Sequence, residues 1–98
     1  MTSLEQAVAT DRLWRALLAF QTARNFHLDA HRRLKARPQT ELEAFWDGPG
    51  RRVGETMHAT ATEVVVAFQV FSAAGLVAGA GDQHLVTQAE RYLALGAA

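Results

Sequence analysis

The first third of the chain carries a row of residues at alternating spacings of four and three, the spacing of one face of a helix. This row consists of Leu13, Leu17, Phe20, Arg24, His27, His31 and Leu34. No Gly or Pro interrupts it before Pro38, which disfavours helix in the residue preceding it. The pattern therefore predicts one helix over residues 3–36. Either of two capping boxes can start it: Ser3 with Gln6, or Thr2 with Glu5.

A short second helix is predicted over residues 39–46, because Thr40 and Glu43 have the spacing of a capping box. The next four residues, Asp47-Gly48-Pro49-Gly50, are the strongest turn signal in the chain. We therefore expect a turn over residues 47–50.

Residues 51–80 contain a second row of apolar and small residues at helical spacing. Its members are Met57, Ala61, Val64, Phe68, Phe71, Gly75 and Ala78. Thr60 and Glu63 also have capping-box spacing, which leaves open one helix or two with a joint near residue 60. Residues 64–71 have the composition of a strand. We favour a helix, because no second strand candidate exists to pair with it.

Asp82 is expected to cap a last helix over residues 83–95, with Gly96 ending it. Together these segments predict a single all-α domain over residues 1–98. The fold class is a helical hairpin or a small three- or four-helix bundle.

Residues 64–81 carry no charge, and two structures fit this segment. One is a membrane-inserted helix, for which the segment is only just long enough. The other is a helix buried nearly all round in an assembly. We favour the second, because Gln69 and Ser72 interrupt the segment and both flanking residues are acidic.

A 98-residue chain has little interior in which to bury such a helix. We therefore predict an oligomer or a helical protein partner. The residues predicted to form the interface are Leu13, Leu17, Phe20, Trp46, Val64, Phe68 and Phe71.

Charge gives a weaker indication of partners. The chain has no net charge, although cations predominate before residue 38 and anions after it. Four cations, Arg32, Arg33, Lys35 and Arg37, crowd the end of the first helix, where they complement its dipole. A cluster of this kind can contact phosphates, but a neutral chain without a recognition motif does not favour nucleic-acid binding.

His27 and His31 lie one helical turn apart and are the candidate metal ligands. A third ligand would have to come from His58, Glu63 or His84. Two ligands alone do not make a closed zinc site, so we favour two hydrogen-bonded interface histidines. The alternative function is a small cytosolic regulator or accessory subunit that binds a metal, a ligand or nucleic acid through this pair or through residues 32–37.

Catalysis is not indicated. The chain has no Cys, only two Ser, and no set of nucleophile, base and orienting residue. We therefore expect a protein that is not an enzyme and needs no cofactor.

Trp46-Asp47-Gly48 lies near the middle of this helical chain of about a hundred residues. In this respect the chain resembles the Trp-x-Gly family of small type VII secretion proteins, the early secreted antigen group. The resemblance implies an antiparallel helical hairpin with the tripeptide at its turn, where the indole closes the open end. The chain departs from the family at two positions. Pro38 breaks the first helix eight residues before Trp46. Gly96 lies four residues after Tyr92, where the family's Tyr-x-x-x-Asp/Glu motif has an acidic residue.

The N-terminal residues do not have the basic and apolar regions of a signal peptide. We therefore expect the chain to be cytoplasmic at synthesis. The family resemblance implies that the chain can also be secreted without a signal peptide.

Overall fold

The computed structural model describes residues 2–96, which form four helices and no strand. The helices are α1 (Ser3–Leu34), α2 (Gln39–Asp47), α3 (Pro49–Ala73) and α4 (Ala80–Gly96). The predicted all-α fold class is therefore confirmed.

The start of α1 uses one of the two capping boxes that the sequence offers. The Oγ1 atom of Thr2 accepts a hydrogen bond from the backbone N–H of Glu5 at 3.1 Å. This bond satisfies one of the amide groups that have no partner in the first turn of a helix. At the other end α1 stops at Leu34, two residues earlier than predicted.

The turn predicted over residues 47–50 is shorter in the structure. Only Gly48 separates α2 from α3, and Pro49 is already the first residue of α3. Proline suits this position, because its ring fixes a helical φ and the first helical N–H needs no partner. The chain therefore passes from α2 into α3 with little irregular backbone.

α3 is continuous through residue 60, so the alternative of two helices is wrong. Thr60 does not cap a helix, since its Oγ1 donates to the backbone oxygen of Thr56 at 2.8 Å. The strand-like residues 64–71 are helical. Packing decides this, because Val64, Ala67 and Phe71 share the buried face of α3.

Gly75 ends α3. It has a φ of +80°, the only positive φ within residues 2–96. The N–H of Gly75 donates to the oxygen of Ser72, and the N–H of Leu76 donates to that of Phe71. This pair of bonds is a Schellman motif, which favours glycine because a side chain is strained at positive φ.

The uncharged segment 64–81 is therefore not one helix. It comprises the last part of α3, the connection over residues 74–79 and the first residues of α4. Within residues 2–96, no helix has the length and apolar character needed to cross a membrane.

α1 and α3 pack antiparallel over most of their length and enclose the core. Phe20 from α1 and Val64 from α3 are among its fully buried side chains. Two polar contacts fix the alignment. Arg12 and Glu63 form an ion pair at 2.7 Å, and the Nε2 of Gln6 donates to the oxygen of Ala74 at 3.0 Å.

α4 packs mainly on α3 and buries Val86 and Ala89 completely. The Tyr92 hydroxyl donates to the backbone oxygen of Gly54 at 3.4 Å. α4 begins at Ala80, so Asp82 lies in its first turn instead of capping it. The assembly of helices is elongated, with extents of 55 × 22 × 18 Å.

Candidate functional site

An open apolar groove of about 710 Å³ runs between α1 and α3. We call it the α1–α3 groove. The α1 residues that line it are Arg15, Leu18, Ala19, Thr22, Ala23 and Phe26. The α3 residues are Arg52, Val53, Thr56 and Thr60.

Two large apolar side chains in the α1–α3 groove remain open to solvent. Leu18 is 50% exposed and Phe26 is 63% exposed. α4 does not cover them. Tyr92 of α4 contacts Gly54, which lies on the side of α3 opposite Thr56, because residues two apart in a helix point about 200° apart.

Two of the three threonine hydroxyls of the groove are already engaged. Thr22 donates to the backbone oxygen of Leu18 at 2.9 Å, and Thr60 to that of Thr56 at 2.8 Å. The charged groups are Arg15 and Arg52. Arg15 also pairs with Asp11 at 2.9 Å. The groove therefore offers apolar surface bordered by cations, with few donors aimed at a ligand.

The residues predicted to form an intermolecular interface lie elsewhere. Five of them are buried in the core of this one chain: Leu13, Leu17, Phe20, Val64 and Phe71. The two rows of residues cover each other, because α3 folds back along α1. These five residues are therefore covered within the chain in this structure, and their assignment to an intermolecular interface stays a prediction.

The other two predicted interface residues are partly covered. Phe68 packs against the core, with its ring stacked on that of Phe71 at 6.5 Å between centroids. Trp46 is half-buried at the junction of α1, α2 and α3. Its indole lies 4.7 Å from the His31 ring and 5.0 Å from the Phe45 ring, measured between centroids.

His27 and His31, which we call the histidine pair, are in direct contact. Their Nε2 atoms are 3.2 Å apart. Partial burial lowers the pKa of His27, and the charge on His31 lowers it further. The Nδ1 atom of His27 is buried and has no hydrogen-bond partner within residues 2–96.

None of the three expected candidates supplies a third ligand. Glu63 binds Arg12 near the other end of α1, and His84 contacts Gln88 on α4. His58 is exposed on α3. Within the part of the chain that the structure describes, no three His, Cys, Asp or Glu side chains lie close enough to hold one metal ion.

The cation cluster at residues 32–37 is partly neutralised. Arg33 pairs with Asp29 at 3.0 Å, and Arg37 approaches Glu41 at 3.8 Å. Arg32 and Lys35 line a second groove, between the end of α1 and α2, together with Trp46. The cluster therefore presents fewer unpaired cations than the sequence suggests.

No family model, curated protein or solved structure matches this chain. Function must therefore be inferred from the geometry of the described residues.

The sequence did not predict the α1–α3 groove, although one signal was present. Leu18 and Phe26 lie off the buried row of α1 and make its apolar surface wider than one stripe. A second apolar stripe on a helix indicates a second packing surface. Which neighbour covers that stripe depends on the packing of α4, which the sequence pattern does not specify.

Proposed function

We propose that this chain is a non-catalytic helical interaction module that binds an amphipathic helix of a partner protein in the α1–α3 groove. The observation that carries the proposal is the exposure of Leu18 and Phe26 along one side of two packed helices. Contiguous exposed apolar surface is a candidate interaction site on a protein, whereas single scattered apolar residues are not.

The shape of the groove favours a helix as the ligand. Two antiparallel helices form a furrow into which the side-chain ridges of a third helix can pack. Helix-in-groove recognition uses apolar residues of the ligand at spacings of three and four. The hydroxyls of Thr22 and Thr60 bind their own backbone, so the groove suits apolar side chains better than a polar small molecule.

The charges favour a partner with acidic residues beside its apolar stripe. Arg15 and Arg52 border the groove, and no carboxylate within residues 2–96 pairs with Arg52. A second copy packed groove to groove about a two-fold axis would present the same lining, which has two arginines and no carboxylate to pair with them. A different protein with a Glu- or Asp-flanked helix therefore fits better than a second copy.

The proposal can be tested with synthetic amphipathic helices of roughly 18 residues, about 27 Å long. One peptide has a Leu stripe flanked by Glu, and a second has the same stripe flanked by Lys. We expect the Glu peptide to bind, as measured by calorimetry, and the Lys peptide to bind more weakly. Phe26→Asp should abolish binding, and Arg52→Glu should reverse the preference between the peptides.

Val77→Asp provides the matched control. Val77 is 91% exposed and lies outside the groove, so an added charge there should leave peptide binding unchanged. If the Glu peptide binds Phe26→Asp as tightly as it binds the wild type, the groove is not the binding site. Light scattering on the peptide-free protein adds a second criterion. If the protein alone is a dimer and Phe26→Asp dissociates it, the partner that occupies the groove is a second copy of the chain.

The position of Trp46-Asp47-Gly48 supports a related proposal, membership of the Trp-x-Gly family. The tripeptide lies at the end of α2, beside the antiparallel pair of α1 and α3. The separate helix α2 and the additional helix α4 differ from a simple hairpin. The measurement that would decide membership is export of the chain from cells that carry a type VII secretion system. Membership predicts that Trp46→Ala or Gly48→Ala abolishes this export.

A further inference from the structure

The histidine pair brings two ring nitrogens together on one side of α1. The two Nε2 atoms lie 3.2 Å apart, and His31 is exposed. Imidazole nitrogens bound to one Zn²⁺ at about 2.1 Å are roughly 3.0–3.4 Å apart for coordination angles between octahedral and tetrahedral. The observed separation lies within this range.

We propose that His27 and His31 bind one first-row divalent cation with a preference for imidazole nitrogen. Among such ions the affinity order places Cu²⁺ above Ni²⁺ and Zn²⁺. Mg²⁺ and Ca²⁺ prefer oxygen ligands and are not candidates. The site is separate from the α1–α3 groove, and no residue lines both.

The helix presents the two ligands together. His27 and His31 lie four residues apart in α1, so the folded backbone holds both rings on one side before any ion binds.

Two features limit the affinity. No carboxylate completes the site within residues 2–96, so water must fill the other coordination positions. Arg32 and Lys35 line the adjacent groove with His31 and oppose a cation. We therefore expect an exposed two-histidine chelate that is weaker than a structural zinc site.

Trp46 provides the readout, since its ring centroid lies 4.7 Å from that of His31. The experiment titrates CuCl₂ and NiCl₂ into full-length protein at neutral pH. It uses a Trp14→Phe background, so that the fluorescence comes from Trp46. We expect saturable quenching that EDTA reverses. ZnCl₂ should raise the Tm of the same protein, while MgCl₂ should not.

Substitution of a ligand provides the decisive comparison. His31→Gln should weaken Cu²⁺ binding by at least about tenfold, since even loss of an outer-shell partner costs this much at metal sites. His84→Gln alters a histidine on α4 and should change nothing. Equal affinity in His31→Gln and wild type would overturn the proposal. Quenching that does not saturate would also overturn it, and would leave an imidazole–imidazole hydrogen bond as the only role of the contact.

Discussion

The backbone at Gly50 packs directly against the indole of Trp46. A Cβ atom on residue 50 would lie 2.5 Å from Cε3 of that indole and 2.9 Å from the ring of Phe45. Side chains do not approach this closely, so the first turn of α3 can meet α2 only because residue 50 is glycine. The junction of α2 and α3 thus depends on Gly50 as well as on the turn at Gly48.

Gly50→Ala should therefore destabilise the fold, by about 1–3 kcal/mol for an overpacked site. Gly54 provides a matched control in the same helix, since nothing lies within 4 Å of its hypothetical Cβ. Gly54→Ala should stabilise the fold by about 0.5–1 kcal/mol, because Ala is favoured over Gly inside a helix. Urea denaturation followed by circular dichroism measures both. A loss of stability in both variants would mean that close packing at residue 50 is not the cause.

The contact between residues 46 and 50 can be isolated by a double-mutant cycle. Trp46→Ala alone should cost about 2 kcal/mol, less than a fully buried Trp because the side chain is half-buried. In the Trp46→Ala background, Gly50→Ala should cost less than it does in the wild type, because the methyl group no longer meets the indole. Additive effects would contradict direct packing between these two residues.

Gly75 should be sensitive to substitution for a different reason. Its φ of +80° is strained for any residue with a side chain, although its hypothetical Cβ meets no atom within 4 Å. We expect Gly75→Ala to cost about 1–2 kcal/mol in equilibrium unfolding. Gly79 lies in the same connection without a positive φ. Gly79→Ala should change stability by less than about 0.5 kcal/mol, and an equal effect at both sites would argue against the Schellman motif.

The core assignment predicts how stability depends on protein concentration. Val64 is fully buried within one chain, so Val64→Ala should cost about 2–3 kcal/mol. The midpoint of unfolding should not change with protein concentration, because no association is coupled to folding in this case. Val66→Ala, at a position 37% exposed, should have a much smaller effect. If the midpoint of unfolding rises with protein concentration, folding is coupled to association and Val64 belongs to an interface between chains.

The ion pair between Arg12 and Glu63 predicts a pH dependence. The hydrogen bond from Arg12 holds the pKa of the Glu63 carboxyl below its ordinary value of 4.5. A lowered pKa in the folded state means that the unfolded state binds the proton more tightly. The contribution of Glu63 to stability is therefore present above pH 4.5 and is lost as the pH falls below that value.

Both side chains are more than two-fifths exposed, so the effect should be small and screened by salt. The wild type should have a larger free energy of unfolding than Glu63→Gln at neutral pH. This difference should shrink towards zero in acid. Urea denaturation at several pH values and low ionic strength measures it. A difference that grows in acid would contradict the assigned sign.

The sequence by itself determined which segments are helical and where most of them end. Ser, Thr, Pro and Gly act locally, so Thr2 and Pro38 mark helix ends through interactions with residues a few positions away. Gly75 is different, because the pattern placed it inside the second apolar row, whereas it ends α3 in the structure. The periodic rows also identified the residues that need to be buried, among them Phe20 and Val64. These features depend on the backbone and on helical geometry, which are the same in any tertiary structure.

Only the tertiary structure decided what covers each row. The pattern of apolar residues shows that a face is buried, but a second chain and another part of the same chain can bury it equally well. In this protein α3 folds back along α1 and covers Leu13, Leu17 and Phe20. α4 then packs on one side of α3, which leaves Leu18 and Phe26 exposed on the other. The candidate site follows from this choice, because packing between distant segments decides which apolar surface remains uncovered.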